Sequence, residues 1–246
     1  MIPARWSWLG RVPFAATARV QERLRDAVLA GSGPETLLFC EHDPVITLGR
    51  SAHPGNVLAT PAQLAARDVV VEPASRGGDV TFHGPGQLVG YPVVRLRGGV
   101  VGHVTAMAKA VAEVLATMGI AATWRRDRPG LWVGEAREGA AKICAVGVHV
   151  RQRVAIHGFA LNVSNCPEDF DLIVPCGLPG ARVTSIAREL GGTTAIPPMH
   201  VLASRVARAF GEAIGTTFVP ALERCALDPF VEKIELSNGI TRMIGA

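Results

Sequence analysis

Residues 142–150 (KICAVGVHV) and 154–163 (VAIHGFALNV) are two apolar runs of strand length, and only three residues separate them. Parallel neighbours need a crossover of about a dozen residues or more, whereas antiparallel neighbours need only a short turn. The pair therefore predicts an antiparallel ribbon and argues against a doubly wound parallel sheet. Shorter strand-like runs lie at 36–42, 45–50, 69–72, 88–96, 121–126 and 130–134, with Asp43-Pro44 read as the turn between the first two. Helical spacing interrupts them. Val20, Leu24, Ala27 and Val28 share one stripe of 15–30, with Gly31 placed to stop it, and Val104, Met107, Val111, Val114 and Leu115 do the same over 103–118. A third helix is expected over 199–214. Thr60-Pro61 supplies the N-cap and first residue of a short helix to Ala66, and Thr184 opens another ending near Gly191. The expected fold class is α/β (α+β), a mixed central β-sheet flanked by helices. With 48% hydrophobic residues, no internal repeat and no linker, residues 1–246 read as a single domain.

Several function classes drop out. No stretch approaches 18 uninterrupted apolar residues, so no membrane span is expected. Arg5 and Arg11 among Trp6, Trp8 and Leu9 are followed by no apolar core of a secretory signal. The five cysteines, at 40, 144, 166, 176 and 225, are odd in number and show no CxxC spacing. That pattern points to a reducing, cytoplasmic setting. The net charge is +4, and Arg125, Arg126 and Arg128 cluster, as do Arg151 and Arg153; such clusters meet an acidic partner or form a solvated surface. Without a Lys/Arg-rich run, and with one Tyr and eight Phe, nucleic acid is not expected as a partner. Gly77 and Gly78 sit in no phosphate-loop pattern, and His83, His157 and Cys176 fit no zinc-ligand spacing, so neither cofactor nor metal is expected.

The residues that can carry chemistry are few. Cys176 lies in 173–180 (IVPCGLPG), where two prolines and two glycines impose loop backbone that substrate can reach. Its alternative is a small buried loop residue. Gly177 and Gly147 are candidate backbone donors to an oxyanion. Cys144, flanked by Ile143 and Ala145, reads as core packing and by alternation shares a face with Lys142 and Val146. Lys142 opens an otherwise apolar strand. Such a lysine ordinarily leaves the sheet for solvent; if it enters a site, its ammonium favours a thiolate and activates a cysteine. His83 and His157, each beside a glycine, are candidate proton shuttles or satisfied structural histidines.

Five segments together resemble the octanoyltransferase family, also called lipoyl(octanoyl) transferases or lipoate-protein ligase B. They are 41–50 (EHDPVITLGR), 76–92 (RGGDVTFHGPGQLVGYP), 142–148 (KICAVGV), 157–162 (HGFALN) and 173–177 (IVPCG) with Thr184-Ser185. They run in order from about residue 8 to 190. The resemblance implies the fold of the lipoate- and biotin-protein ligase catalytic domains. It implies transfer of an octanoyl or lipoyl group from acyl carrier protein to a lysine of a lipoyl domain, the first step of protein lipoylation. Acceptors would be the lipoyl domains of 2-oxoacid dehydrogenase complexes and the glycine cleavage H protein. By the same resemblance Cys176 holds the acyl thioester and Lys142 favours its thiolate and moves protons. The substrate cleft falls on Arg76, Gly77, Gly78, Asp79, Val80, Thr81, Phe82 and His83, on Ala145, Val146 and Gly147, and on Gly158, Phe159 and Ala160. Glycines 77, 78, 147 and 158 would let backbone line an eight-carbon slot, and His157 is a possible auxiliary group. His149 departs from the Arg or Lys usual in the family.

Overall fold

The computed structural model describes residues 2–135, 139–192 and 194–221. In chain order the strands and helices begin with β1 (Arg5–Val12), α1 (Phe14–Ala30), β2 (Thr36–His42), β3 (Val45–Leu48), α2 (Pro61–Ala65), β4 (Val70–Pro73), β5 (Val80–His83) and β6 (Gln87–Arg95). They continue with α3 (Val100–Ala116), β7 (Ala122–Arg125), β8 (Gly130–Val133), β9 (Ala141–Arg151), β10 (Val154–Asn162), β11 (Arg182–Val183), α4 (Ile186–Leu190), α5 (Met199–Ile214) and β12 (Val219–Pro220). The three-residue link makes β9 and β10 an antiparallel ribbon, in register from Val154 opposite Arg151 to Leu161 opposite Cys144. That ribbon is the centre of a mixed sheet of order β12-β1-β2-β6-β10-β9-β8-β7, with β11 laid beside the start of β9. A second sheet of order β4-β3-β5 packs apart from it.

The period of two along the strands divides the interior. On one face Leu37, Phe39, Leu88, Phe159 and Leu161 meet Met107, Val111 and Leu115 of α3 and Leu202, Val206 and Phe210 of α5. On the other, Leu38, Cys40, Val89, Tyr91 and Ile156 meet Ala16, Val20, Leu24 and Val28 of α1. The small sheet closes its own core, with Ile46, Val80 and Phe82 against Leu64 of α2 and Phe170 and Leu172 of a 3₁₀ turn. Local signals explain most element ends. Thr60 and Gln63 form a reciprocal capping box on α2, and Gly31, Gly191 and Gly215 close α1, α4 and α5 in left-handed conformation.

Three features go beyond the sequence patterns, and one expectation changes. Asp43-Pro44 does not join a hairpin: β2 pairs with β1 and β6, whereas β3 pairs with β4 and β5, so the turn passes the chain from one sheet to the other. The glycine-rich stretch after Arg76 contains a buried strand, β5. Residues 5–12 form a strand parallel to β2. Ser185, not Thr184, caps α4 through its side chain. Cys225 lies outside the described residues. Among the described residues no helix is long and apolar enough to cross a membrane.

Candidate active site

Cys176 sits in a 3₁₀ turn, Pro175–Gly177, at φ 56° and ψ 24°, and Gly177 follows at φ +66°. A left-handed conformation costs an ordinary residue about 1–2 kcal/mol, so the surroundings must hold it. They do so from two sides. The Val174 N–H donates to Asn56 O at 2.8 Å, and Leu58 and Ala59 N–H groups donate to Leu172 O at 2.9 and 3.1 Å. The Asp79 carboxylate accepts from the N–H groups of His53 (3.0 Å) and Val80 (2.8 Å) and from the Asn56 side-chain amide. It also presses on the turn: a Cβ at Gly177 would lie 2.5 Å from Asp79 Oδ2, so only glycine fits there. The Gly177 N–H donates to Val174 O at 3.1 Å. It is therefore engaged, and the oxyanion role expected of it is withdrawn.

Lys142 is 5% exposed. Its Nζ donates to Cys176 Sγ at 3.1 Å and to Pro129 O at 3.1 Å, and lies 5.1 Å from the centre of the Trp132 ring. The default of a solvated strand end is thus overturned, and a bulge is the reason. Leu131 pairs with Cys144 but Trp132 with Lys142, so β9 spends one more residue than β8 across this step. Ile143 and Cys144 consequently both enter the core under α3 and α5, while Lys142 and Ala145 both line the cavity at Cys176. Cys144 does not share a face with Lys142. Its burial pushes its thiol up to about 12, and burial raises Cys40 as well. Cys176 combines partial exposure with an ammonium in contact.

The cavity is lined by Thr81, Gln87, Ala145, Ala160, Asn162 and Phe170, together with Lys142, Pro175, Cys176 and Val183. Its volume is only about 10 Å³, so the eight-carbon slot is not open in this conformation. Several expected cleft residues lie elsewhere. Val146 and Phe159 pack into the α3/α5 core on the far face of the sheet, because they alternate with Ala145 and Ala160. Val80 and Phe82 belong to the core of the small sheet. Gly147 and Gly158 admit protein rather than an empty slot: a Cβ would stand 3.2 Å from Gly77 O at the first and 2.2 Å from Gly90 O at the second. Arg76, Gly77 and Gly78 form the strap over β9, with the Gly77 N–H donating to Val148 O at 3.0 Å. The Arg76 guanidinium donates to Asp79 O (2.8 Å), Gly77 O (3.2 Å), Thr47 O (2.7 Å) and Thr47 Oγ1 (2.7 Å), leaving a buried Nε without a partner among the described residues. Burial lowers its pKa, against a smaller upward pull from Cys176.

Gln87 and Asn162 are polar wall residues that sequence reasoning did not single out, although both stand in the matched segments. Gln87 Nε2 donates to Phe82 O (3.3 Å) and Asn162 Oδ1 (2.9 Å), so its Oε1 must accept from His83 Nδ1 at 2.7 Å. His83 is thereby a neutral Nδ1–H tautomer whose Nε2 faces the Thr47 hydroxyl at 3.4 Å. His157 meets Ser75 Oγ at 2.8 Å, and Phe14 stacks on both imidazoles. Burial pushes both histidines down to about 3. His83 reaches the cavity wall through Gln87, and His157 through neither Lys142 nor Cys176. His149 Nδ1–H donates to Ser75 O at 2.9 Å, beside the strap and outside the cavity lining. Among the described residues no three His, Cys, Asp or Glu side chains are grouped to hold a metal ion.

A lysine and a cysteine from a bulged strand and a left-handed turn, on a sheet of this order, prompt comparison with known proteins. The family model described as the lipoyl protein ligase A/B catalytic domain matches residues 13–211. The chain belongs to that family. An octanoyltransferase of Chloroflexus aggregans is 46% identical over 202 residues, covering 80% of this chain and 89% of its own. One from Acidobacterium capsulatum is 41% identical over 220 residues, covering 84% and 88%. The crystal structure of a lipoate-protein ligase A bound with ATP superposes with a TM-score of 0.71 over 94% of this chain and 93% of its own. At 14% identity it shows a shared fold. The family match thus spans every element that builds the cavity, from α1 to α5, and both strands that carry the bulge.

Proposed function

We propose that this lipoyl protein ligase A/B family member is an octanoyltransferase working through an acyl thioester on Cys176. The observation that carries the reading is the 3.1 Å contact between Lys142 Nζ and Cys176 Sγ, made at a cavity whose apolar side is Ala145, Ala160, Phe170 and Val183. The relatives named octanoyltransferase at 41–46% identity supply the acyl group.

In the first half-reaction the Cys176 thiolate attacks the carbonyl of an octanoyl thioester presented by acyl carrier protein. The Cys176 S–C bond forms, the donor S–C bond breaks, and the donor thiolate leaves, taking a proton from Lys142. Like bonds are exchanged, so this half is close to thermoneutral. In the second, the amine of an acceptor lysine attacks the enzyme thioester. An amide forms, Cys176 leaves as thiolate, and the amine's proton passes to Lys142, which restores the starting pair. The acceptors are lipoyl domains of 2-oxoacid dehydrogenase complexes and the glycine cleavage H protein. The amide is the more stable product and draws the sequence forward. Between the halves the thioester must be kept from water, and the apolar wall of Ala145, Ala160, Phe170 and Val183 suits that task.

Intact-mass spectrometry after incubation with octanoyl carrier protein tests the reading without ATP present. The wild type gains one octanoyl group and Cys176→Ser gains none. A full-strength adduct on the serine variant, or an absolute need for ATP in the wild type, sinks it.

A further inference from the structure

Outside the cavity, with the Trp132 indole in its lining, is an open groove of about 240 Å³. One bank is Leu178, Pro179, Gly180 and Ala181, the segment that directly follows the Cys176–Gly177 turn. Arg125, Arg128 and Arg182 all contribute to its lining. Among the described residues their recorded ion pairs do not balance their charge. Asp127 serves two of them, at 3.5 Å from Arg125 and 4.0 Å from Arg128. Arg182 donates to a neutral acceptor, Gly139 O, at 3.2 Å. Among the described residues recorded in ion pairs with these arginines, three guanidinium groups therefore meet one carboxylate. Like charges gathered on one concave surface repel, and the groove is open enough to admit a ligand that relieves them. Planar guanidinium forks match a carboxylate or phosphate in bidentate geometry.

Position narrows the choice. Arg125 lies 6.0 Å from the centre of the Trp132 ring whose centre is 5.1 Å from Lys142 Nζ. Trp132 thus lies beside both the groove's Arg125 and the ammonium that touches the thiol. An anion in the groove is held beside the reacting sulfur without entering the cavity, where it would compete with the thiolate for Lys142. A thioester donor whose phosphate is set back from its sulfur by a flexible arm meets that geometry.

We propose that the groove of Arg125, Arg128 and Arg182 is a phosphate-binding site that anchors the phosphodiester of the arm on which the carrier presents its acyl thioester. The proposal rests on the transferase reading for its donor. Its test separates the two. Binding of 4′-phosphopantetheine, which has no acyl group to transfer, is measured by calorimetry beside pantetheine. The phosphorylated compound binds, pantetheine binds at least about tenfold more weakly, and Arg128→Gln and Arg182→Gln each erode that ratio. The rate of adduct formation is then compared for octanoyl-phosphopantetheine and octanoyl-pantetheine at low and high ionic strength. The preference for the phosphorylated donor falls with salt and falls towards unity in the double variant. Arg128 bears the weight should Arg182→Gln lower the melting temperature, since Arg182 also belongs to β11. Equal binding of the two arms by the wild type overturns the proposal, whatever the acylation result. So does a defect of the variants confined to the complete carrier protein, which assigns the groove to carboxylates on the carrier's surface. Binding of phosphopantetheine without any adduct on Cys176 leaves the groove standing and defeats the transferase reading.

Discussion

Replacing Lys142 by methionine removes one ammonium and little else. The unbranched side chain still fills the space beside Trp132, and what is lost is the donor to Cys176 Sγ and Pro129 O, each at 3.1 Å. A hydrogen bond from a charged donor contributes about 1.5–3 kcal/mol, which, made to the sulfur as it reacts, is about 10- to 150-fold in the rate of acyl transfer. Octanoyl-adduct formation on Cys176, followed by intact mass in single turnovers, reads this directly. Lys142→Met forms the adduct more slowly by that factor while its melting temperature stays at or above that of the wild type, which a merely damaged site does not do. A wild-type rate of adduct formation in Lys142→Met refutes the argument that the 3.1 Å contact sets the reactivity of the thiol.

Three other perturbations follow from the packing. His83 and His157 are neutral in the fold with values near 3, whereas the unfolded chain titrates near 6.5, so the unfolded state gains protons first as pH falls. Their stabilisation is complete above about pH 6.5 and is lost towards pH 3, at up to about 1.4 kcal/mol per pH unit for each histidine; urea midpoints that coincide at pH 7 and pH 5 refute this. Phe159→Ala empties a core position, 4% exposed and 6.3 Å from Phe39 between ring centres, and lowers stability by about 3–5 kcal/mol. A stable variant with altered acyl-chain preference instead returns Phe159 to the cleft. Gly177→Ala adds the left-handed penalty of about 1–2 kcal/mol and a methyl at the Asp79 carboxylate. Adduct formation slows about tenfold or more as Cys176 shifts from Lys142, and a wild-type rate in quench-flow counts against the clamp.

The parts of this protein legible in sequence are those settled by neighbours a few residues apart. The three-residue link made β9 and β10 antiparallel, the helix expected over 199–214 is α5 at its observed bounds, and Thr60-Pro61 opened α2. Proline and glycine around Cys176 put it on a loop, and the matched segments named the family. What a strand pairs with is not encoded locally. Asp43-Pro44 suits a hairpin turn and a passage between sheets equally well, and the choice belongs to distant partners, Tyr91 with Leu38 and His83 with Val45. The same holds for the facing of side chains along β9. Simple alternation puts Lys142 with Cys144, and the glycine after Cys176 suggests a free N–H for an oxyanion. One bulge against β8 and one 3₁₀ hydrogen bond to Val174 reverse both. Sequence by itself singled out Cys176 and Lys142 as the candidates for the chemistry and set the order in which they occur. Only the tertiary structure decided that Lys142, 34 residues before Cys176, turns inward to meet it. A single extra residue in a strand exchanges its two faces, and it is the register against β8, a long-range pairing, that holds that residue in place.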